Sequence, residues 1–420
     1  MMESSFPLER GLGMELYTTD TPGIGGVLRK QPEDFIVEEI PLPISGAGPY
    51  LVCRLSKKNW ELQRLVKEIA RSLRISHRRI SWAGTKDKRA VTTQWISIFN
   101  VDPEAIGNIH IKDVQLEVVG RSSDPLALGR LRGNRFSVWI RDCHPEGLST
   151  TVASCAGAAD AGLLNYYGLQ RFGVRRPVTH LVGERILRGD LEGAIRTYVG
   201  RAFSDEPTET RSARQTYLNT GDARAALRDF PTYLSYERAI LHVLAETPDR
   251  YREALSALPP KLLSMFVSAY QSYLFNAAIS TRAREGPLNS PIIGDMLVFS
   301  DGKMDRVTQF HLAAADRQVE RGRAVLALFI PGSKVEEWEW ASPRVIELLE
   351  EKGIDHSHFR QAQDMVGASF QGFSRPVRLS TRISVTVQEK DVQLQFTLDP
   401  GQYATTVCRE FMKNDPLCLV

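Results

Sequence analysis

Apolar and polar positions along this chain fall into three textures. Between residues 24 and 140 short apolar runs alternate with a period of two, the pattern of strands with one buried face. Residues 24–40 read as two short strands around a turn at Pro32, with Phe35, Val37 and Ile40 suited to the second. Residues 50–55 predict another strand. Asn59 reads as the cap of a helix in which Leu62, Leu65, Val66, Ile69 and Leu73 keep the spacing of one buried face, with Arg64, Lys67, Arg71 and Arg74 outside. An apolar run over 80–83 stops at Gly84, a polar loop covers 85–89, and 90–99 alternates as a strand. A short helix is predicted at Asp102-Pro103, strands over 109–119 and 133–140, and an Ala- and Ser-rich helix over 149–164.

Near residue 165 the texture changes. Helical patterns cover 191–199, 222–230, 233–245, 250–258, 261–284, 344–352 and 356–365, with strands only at 296–299 and 324–330. After Gly372 alternation returns: 382–387 and 392–398 predict a hairpin, and Pro400 opens a last helix reaching Met412. Strands at both ends with helices between them predict an α+β fold, a largely antiparallel sheet interrupted by an inserted, mainly helical domain.

A chain of 420 residues exceeds what one core organises, so two domains are expected. Hydrophobic content of 42% and charged content of 25% are those of an ordinary soluble globular protein. No apolar run is long enough to cross a bilayer, and MMESSFPLERG lacks the basic start and apolar stretch of a secretory signal. Five cysteines without CxxC spacing suit a reducing, cytoplasmic setting and argue against a disulfide framework or zinc site. Eight histidines show no HExxH; His356 and His358 read as solvated side chains. A net charge of +3 says little about partners, but its distribution says more. From Arg54 to Arg89 twelve Lys or Arg face three acids, a surplus expected of a phosphate-binding surface as well as of a solvated helix face.

That basic segment leads into the loop Lys86-Asp87-Lys88-Arg89. Alone, an Asp among lysines is more often a soluble turn than a site. Its cationic neighbours nevertheless favour an ionised carboxylate where a polyanion would dock, and such a carboxylate can serve as nucleophile or base. Gly133-Asn134-Arg135-Phe136 reads as a turn feeding a strand, and SAYQSYLFN (268–276) as core packing at helical spacing. NYYGLQRFG (165–173) suits either base stacking and phosphate binding or a helix end with buried Tyr166 and Phe172. The sequence has no GxxxxGK[ST], no GxGxxG after a strand and no GxSxG, which removes the common nucleotide and serine-hydrolase motifs. Three classes stay open: an RNA-directed enzyme using Asp87, a non-catalytic RNA-binding protein or chaperone, and a metal-dependent nuclease recruiting Glu33, Asp34, Glu38 and Asp87.

Five motifs occur in one order: RKQPEDF (29–35), AGTKDKRAVTTQW (83–95), RGNRF (132–136), NYYGLQRFG and LDPGQYATTVCREF (398–411). Together they resemble the TruD family of tRNA pseudouridine synthases, in an archaeal member, over about residues 24–413. The resemblance implies a catalytic domain over 1–167 and 376–420 interrupted by a family-specific domain over 168–375. It implies Asp87 as the catalytic aspartate. Phe35, Asn134, Phe136 and Tyr403 fall on substrate-contacting positions, Lys86, Lys88 and Arg89 on the phosphates, and Arg29 on a basic position of open role. The implied reaction isomerises a uridine, by resemblance uridine 13 of the D-arm, and needs no cofactor or metal. tRNA is the implied partner, with no membrane and no obligatory protein partner.

Overall fold

The alternating runs become nine strands of a single sheet. In the computed structural model, which describes residues 1–419, they are β1 (Gly25–Leu28), β2 (Phe35–Ile40), β3 (Tyr50–Lys58), β4 (Ile80–Trp82), β5 (Val91–Phe99), β6 (Val114–Ser122), β7 (Gly133–Cys143), β8 (Ser384–Gln388) and β9 (Asp391–Leu398). The order across the sheet is β8-β9-β7-β2-β5-β3-β6, with β1 also on β7 and β4 also on β5. Every pairing is antiparallel except β2 with β5, so the expected α+β architecture with an antiparallel-dominated sheet is the one that forms. Helix α1 (Leu62–Ser72) buries Leu62, Leu65, Val66 and Ile69 with Leu51, Cys53, Leu55, Ile96 and Ile98 of the sheet. Each such side chain contributes roughly 1.5–3 kcal/mol by leaving water. Helices α2 (Leu148–Ala161) and α3 (Ala404–Met412) complete this unit, which comprises Thr18–Leu163 and the chain from Leu379 onward.

The second unit, Met1–Tyr17 with Leu164–Arg378, is mostly helical. Its longest helix, Pro260–Glu285, buries Tyr270, Leu274 and Phe275, as the helical spacing of SAYQSYLFN predicts. A four-stranded antiparallel sheet accompanies the helices, formed by Met304–Arg306, Met296–Phe299, Ala324–Ile330 and Phe373–Pro376 in that order. Of the two readings of NYYGLQRFG, burial favours the structural one. Tyr166 and Phe172 are inside the core, the Tyr166 hydroxyl lies 2.6 Å from Ser280 Oγ, and Arg171 donates to Ser272 Oγ at 3.0 Å. The expected breaks lie at 167/168 and 375/376, with residues 1–17 beside the sheet. The units divide after Leu163 and before Leu379, and Met2–Glu3 pairs with Leu16–Tyr17 inside the helical unit. Among the described residues no helix is long and apolar enough to cross a membrane.

Several local expectations give way to backbone detail. Asn59 does not cap α1: it sits at φ 58 and donates its N–H to the Ala90 carbonyl. The cap is Glu61, whose carboxylate accepts from the Gln63 and Arg64 amides at 2.8 and 2.7 Å. Strand β6 starts at Val114 rather than 109, behind Asp113 at φ 60, and α2 stops before Gly162 at φ 120. The last helix begins at Ala404, after a turn at Pro400-Gly401. Helices Thr179–Leu187, Thr208–Thr220 and Leu312–Glu320 were not anticipated; Thr208–Thr220 buries only Thr210, Ala213, Arg214 and Tyr217, too mixed a face to read as periodic.

Candidate active site

Strand alternation decides which side chains share one face of the sheet. On β2, Phe35, Val37 and Glu39 are buried in phase. The β7 register sets Val138, Phe136 and Asn134 opposite them, and β9 sets Phe396 and Leu398 opposite Phe136 and Asn134. On the other side Thr92 of β5 stands opposite Val37, and Lys57 of β3 opposite Thr92. Phe35 and Phe136 are thereby brought together, with Asn134 further along the same face, opposite Glu39. The Phe136 ring stacks on Phe396 at 5.4 Å between centroids and meets Phe35 edge-on at 6.1 Å. Asn134 Oδ1 is buried and accepts no hydrogen bond. Tyr403 is half-buried just before α3, five residues beyond the β9 residue Leu398 that pairs with Asn134.

Asp87 is in the loop joining β4 to β5, and its side chain is 51% exposed. Arg29, itself only 7% exposed, donates from Nη2 to Asp87 Oδ2 at 2.6 Å. Arg29 has φ 53, a conformation uncommon outside glycine, and its guanidinium lies 4.0 Å above the Phe35 ring. The basic residue of open role is thus the counterion of Asp87 and covers Phe35, which is 1% exposed. Phe35 has no free face left for a base in this arrangement, and Phe136 is 8% exposed.

Three further side chains tie the loop to the sheet. Glu39 takes Lys86 Nζ at 2.7 Å and the Trp95 N–H at 3.3 Å, Gln94 Nε2 donates to the Gly84 carbonyl at 3.0 Å, and Lys57 Nζ donates to the Asp87 carbonyl at 3.0 Å. A Cβ at Gly84 would press on the charged ends of the Lys86–Glu39 pair, so a side chain there would have to displace them. Lys86 departs from its expected place on a phosphate path: its side chain is 6% exposed and neutralised by a fully buried carboxylate. Lys88 and Arg89 are exposed, as are Arg64, Lys67, Arg71, Arg74 and Arg78 on and after α1. Burial pushes the Lys57 ammonium down to about 8. It pushes the Cys53, Cys143 and Cys408 thiols up to about 12, which keeps them protonated and poorly nucleophilic.

The four carboxylates a nuclease would recruit do not converge. Glu33 pairs with Lys58, Asp34 with Arg141 at 2.7 Å, Glu38 with Arg135 at 3.5 Å and Asp87 with Arg29. Among the described residues no three His, Cys, Asp or Glu side chains form a metal-binding group. Sequence reasoning missed Glu39 and took Lys57 for one of the basic surface residues that meet phosphate, although it is buried on main-chain carbonyls and a signal was present. Glu39 continues the phase of Phe35 and Val37, and Lys57 that of Leu51, Cys53 and Leu55, so each is a charged residue at an inward position.

This arrangement has close relatives. The family described as tRNA pseudouridine synthase D (TruD) matches residues 11–411. Proteins named "Probable tRNA pseudouridine synthase D" are 39% identical in Methanococcoides burtonii, over 98% of both chains, and 36% identical in Halobacterium salinarum, over the whole of both. The crystal structure of a TruD protein from Methanosarcina mazei superimposes with a TM-score of 0.82 at 37% identity, covering 97% of this chain and 98% of that one. A match over nearly the full length in sequence and in fold places this chain in the TruD family of tRNA pseudouridine synthases.

Proposed function

We propose that this protein isomerises a uridine of tRNA to pseudouridine with Asp87 as the nucleophile, and that the target is uridine 13 of the D-arm. The observation that carries the reading is the Asp87–Arg29 pair. A half-exposed carboxylate in a loop is held at 2.6 Å by a guanidinium that is itself buried and lies over Phe35, whose ring meets Phe136 edge-on. A uridine inside folded tRNA must first leave its stack to meet such a group. A carboxylate oxygen of Asp87 then bonds to C6 of uracil or to C1′ of ribose. The N1–C1′ bond breaks, the base turns, C5 bonds to C1′, the bond to Asp87 breaks, a proton leaves C5 and the freed N1 takes one up. Atoms balance without any redox change or added group. Asn134 Oδ1, an unpaired acceptor, suits the uracil N3–H or the orientation of Asp87. Lys88 and Arg89 suit the flanking phosphates. The sheet unit is read as the catalytic domain and the helical unit as the family-specific insertion.

Undermodified tRNA incubated with the protein, with and without EDTA, tests the reading. Isomerisation without strand cleavage supports it, metal-dependent cleavage would make the protein a nuclease, and binding alone would make it a chaperone. Asp87→Asn should abolish product while tRNA affinity stays within about twofold, because the amide keeps the shape but is not a nucleophile. Measurable product from that variant removes Asp87 from the role.

A further inference from the structure

Besides the Arg29 pair, three side chains tie the Asp87 loop to the sheet; two act on neighbours of Asp87 and one, Lys57, on Asp87 itself. Lys57 lies at the end of β3, in phase with Leu51, Cys53 and Leu55, and is 1% exposed. Its Nζ donates to the main-chain carbonyls of Trp60 at 2.8 Å and Asp87 at 3.0 Å. An ammonium buried against carbonyls is costly compared with an aliphatic side chain of the same length, so packing alone does not account for it. What the contact does is hold the backbone that presents the carboxylate.

We propose that Lys57 is a positioning residue for Asp87, holding the main chain of the nucleophile and acting on the rate without touching the uridine. The inference rests on the reading of Asp87 as nucleophile. The charged groups facing Lys57 are Asp87 and Lys86 of the loop and Glu61 ahead of α1. Its ammonium loses its proton near pH 8, whereas an ordinary lysine keeps it to 10.5. Charge-assisted hydrogen bonds are about twice as strong as neutral ones, so the hold on the loop loosens as pH rises through that value. Displacing a reacting group by about 1 Å lowers a rate by about a hundredfold.

The test uses the full-length protein in excess over unmodified tRNA, with single-turnover rate constants from about pH 6.5 to about pH 9.5 for wild type, Lys57→Gln and Lys57→Met, and tRNA affinity measured separately. Both variants should lose about 30-fold or more in rate with affinity within about twofold, and the wild-type decline above about pH 8 should be missing from them. A rate within about threefold of wild type, or a loss confined to affinity, overturns the proposal. If circular dichroism shows that the variants do not fold, the wild-type profile decides: a decline above about pH 8 supports the role and a flat profile to about pH 9.5 overturns it. Product from Asp87→Asn would instead overturn the nucleophile reading, whereas an inactive Asp87→Asn beside an active Lys57→Gln overturns only the role of Lys57.

Discussion

Replacing Glu39 by Gln keeps the side-chain shape and an acceptor for the Trp95 N–H, and removes the charge that faces Lys86. The two side chains are 0% and 6% exposed and their charged atoms lie 2.7 Å apart, so solvent screens the interaction little. Removing one partner of a buried pair strands the other charge, at a cost of about 3–5 kcal/mol. At about 1.4 kcal/mol per factor of ten, that is a fall of roughly a hundred- to several thousandfold in the folded-to-unfolded ratio. Denaturant unfolding followed by tryptophan fluorescence measures it, because Trp60, Trp82, Trp95 and Trp139 belong to the sheet unit and only Trp338 and Trp340 to the helical one. Glu39→Met combined with Lys86→Met should recover most of the loss, since two apolar side chains strand no charge. A cost below about 1 kcal/mol for Glu39→Gln, the size of an exposed pair, would mean that Lys86 reaches water and the strap on the Asp87 loop is not real.

Two further outcomes are expected. Neutralising Arg64, Lys67, Arg71 and Arg74, all exposed around α1, should weaken tRNA binding and flatten its dependence on salt. An unchanged salt slope would place the RNA elsewhere. The second concerns stability and pH. Folded Lys57 titrates near 8 and an unfolded lysine near 10.5, so between those values the unfolded chain holds more protons and the Lys57 contribution to stability rises with pH. Urea unfolding of wild type and Lys57→Met at about pH 7 and about pH 10 should show wild type gaining on the variant by up to about 3 kcal/mol. The buried thiols titrate in both proteins and cancel, so parallel curves would show that folded Lys57 keeps its proton as an unfolded lysine does and that burial does not shift it.

Much of the fold could be read along the chain because it depends on local periodicity. The in-phase residues of β2, β3 and β5 and the buried stripe of α1 need only the spacing of a strand or a helix. The linear order of motifs likewise sufficed to name Asp87, Phe35, Asn134, Phe136 and Tyr403 as candidates, whereas the inward places of Glu39 and Lys57 emerged only with the strands themselves. What each inward residue meets was settled only by strand order. β7 had to fall between β9 and β2 to bring Phe396 onto Phe136 and Asn134 opposite Glu39, from residues more than ninety positions apart. Pairing of β2 with β5 in parallel put Lys86 within reach of Glu39, and a left-handed backbone at Arg29 turned its guanidinium onto Asp87, 58 positions away. A cation in a sequence looks the same whether it will face phosphate or a carboxylate; only the closing of the chain around it decides whether water, and therefore RNA, can reach it.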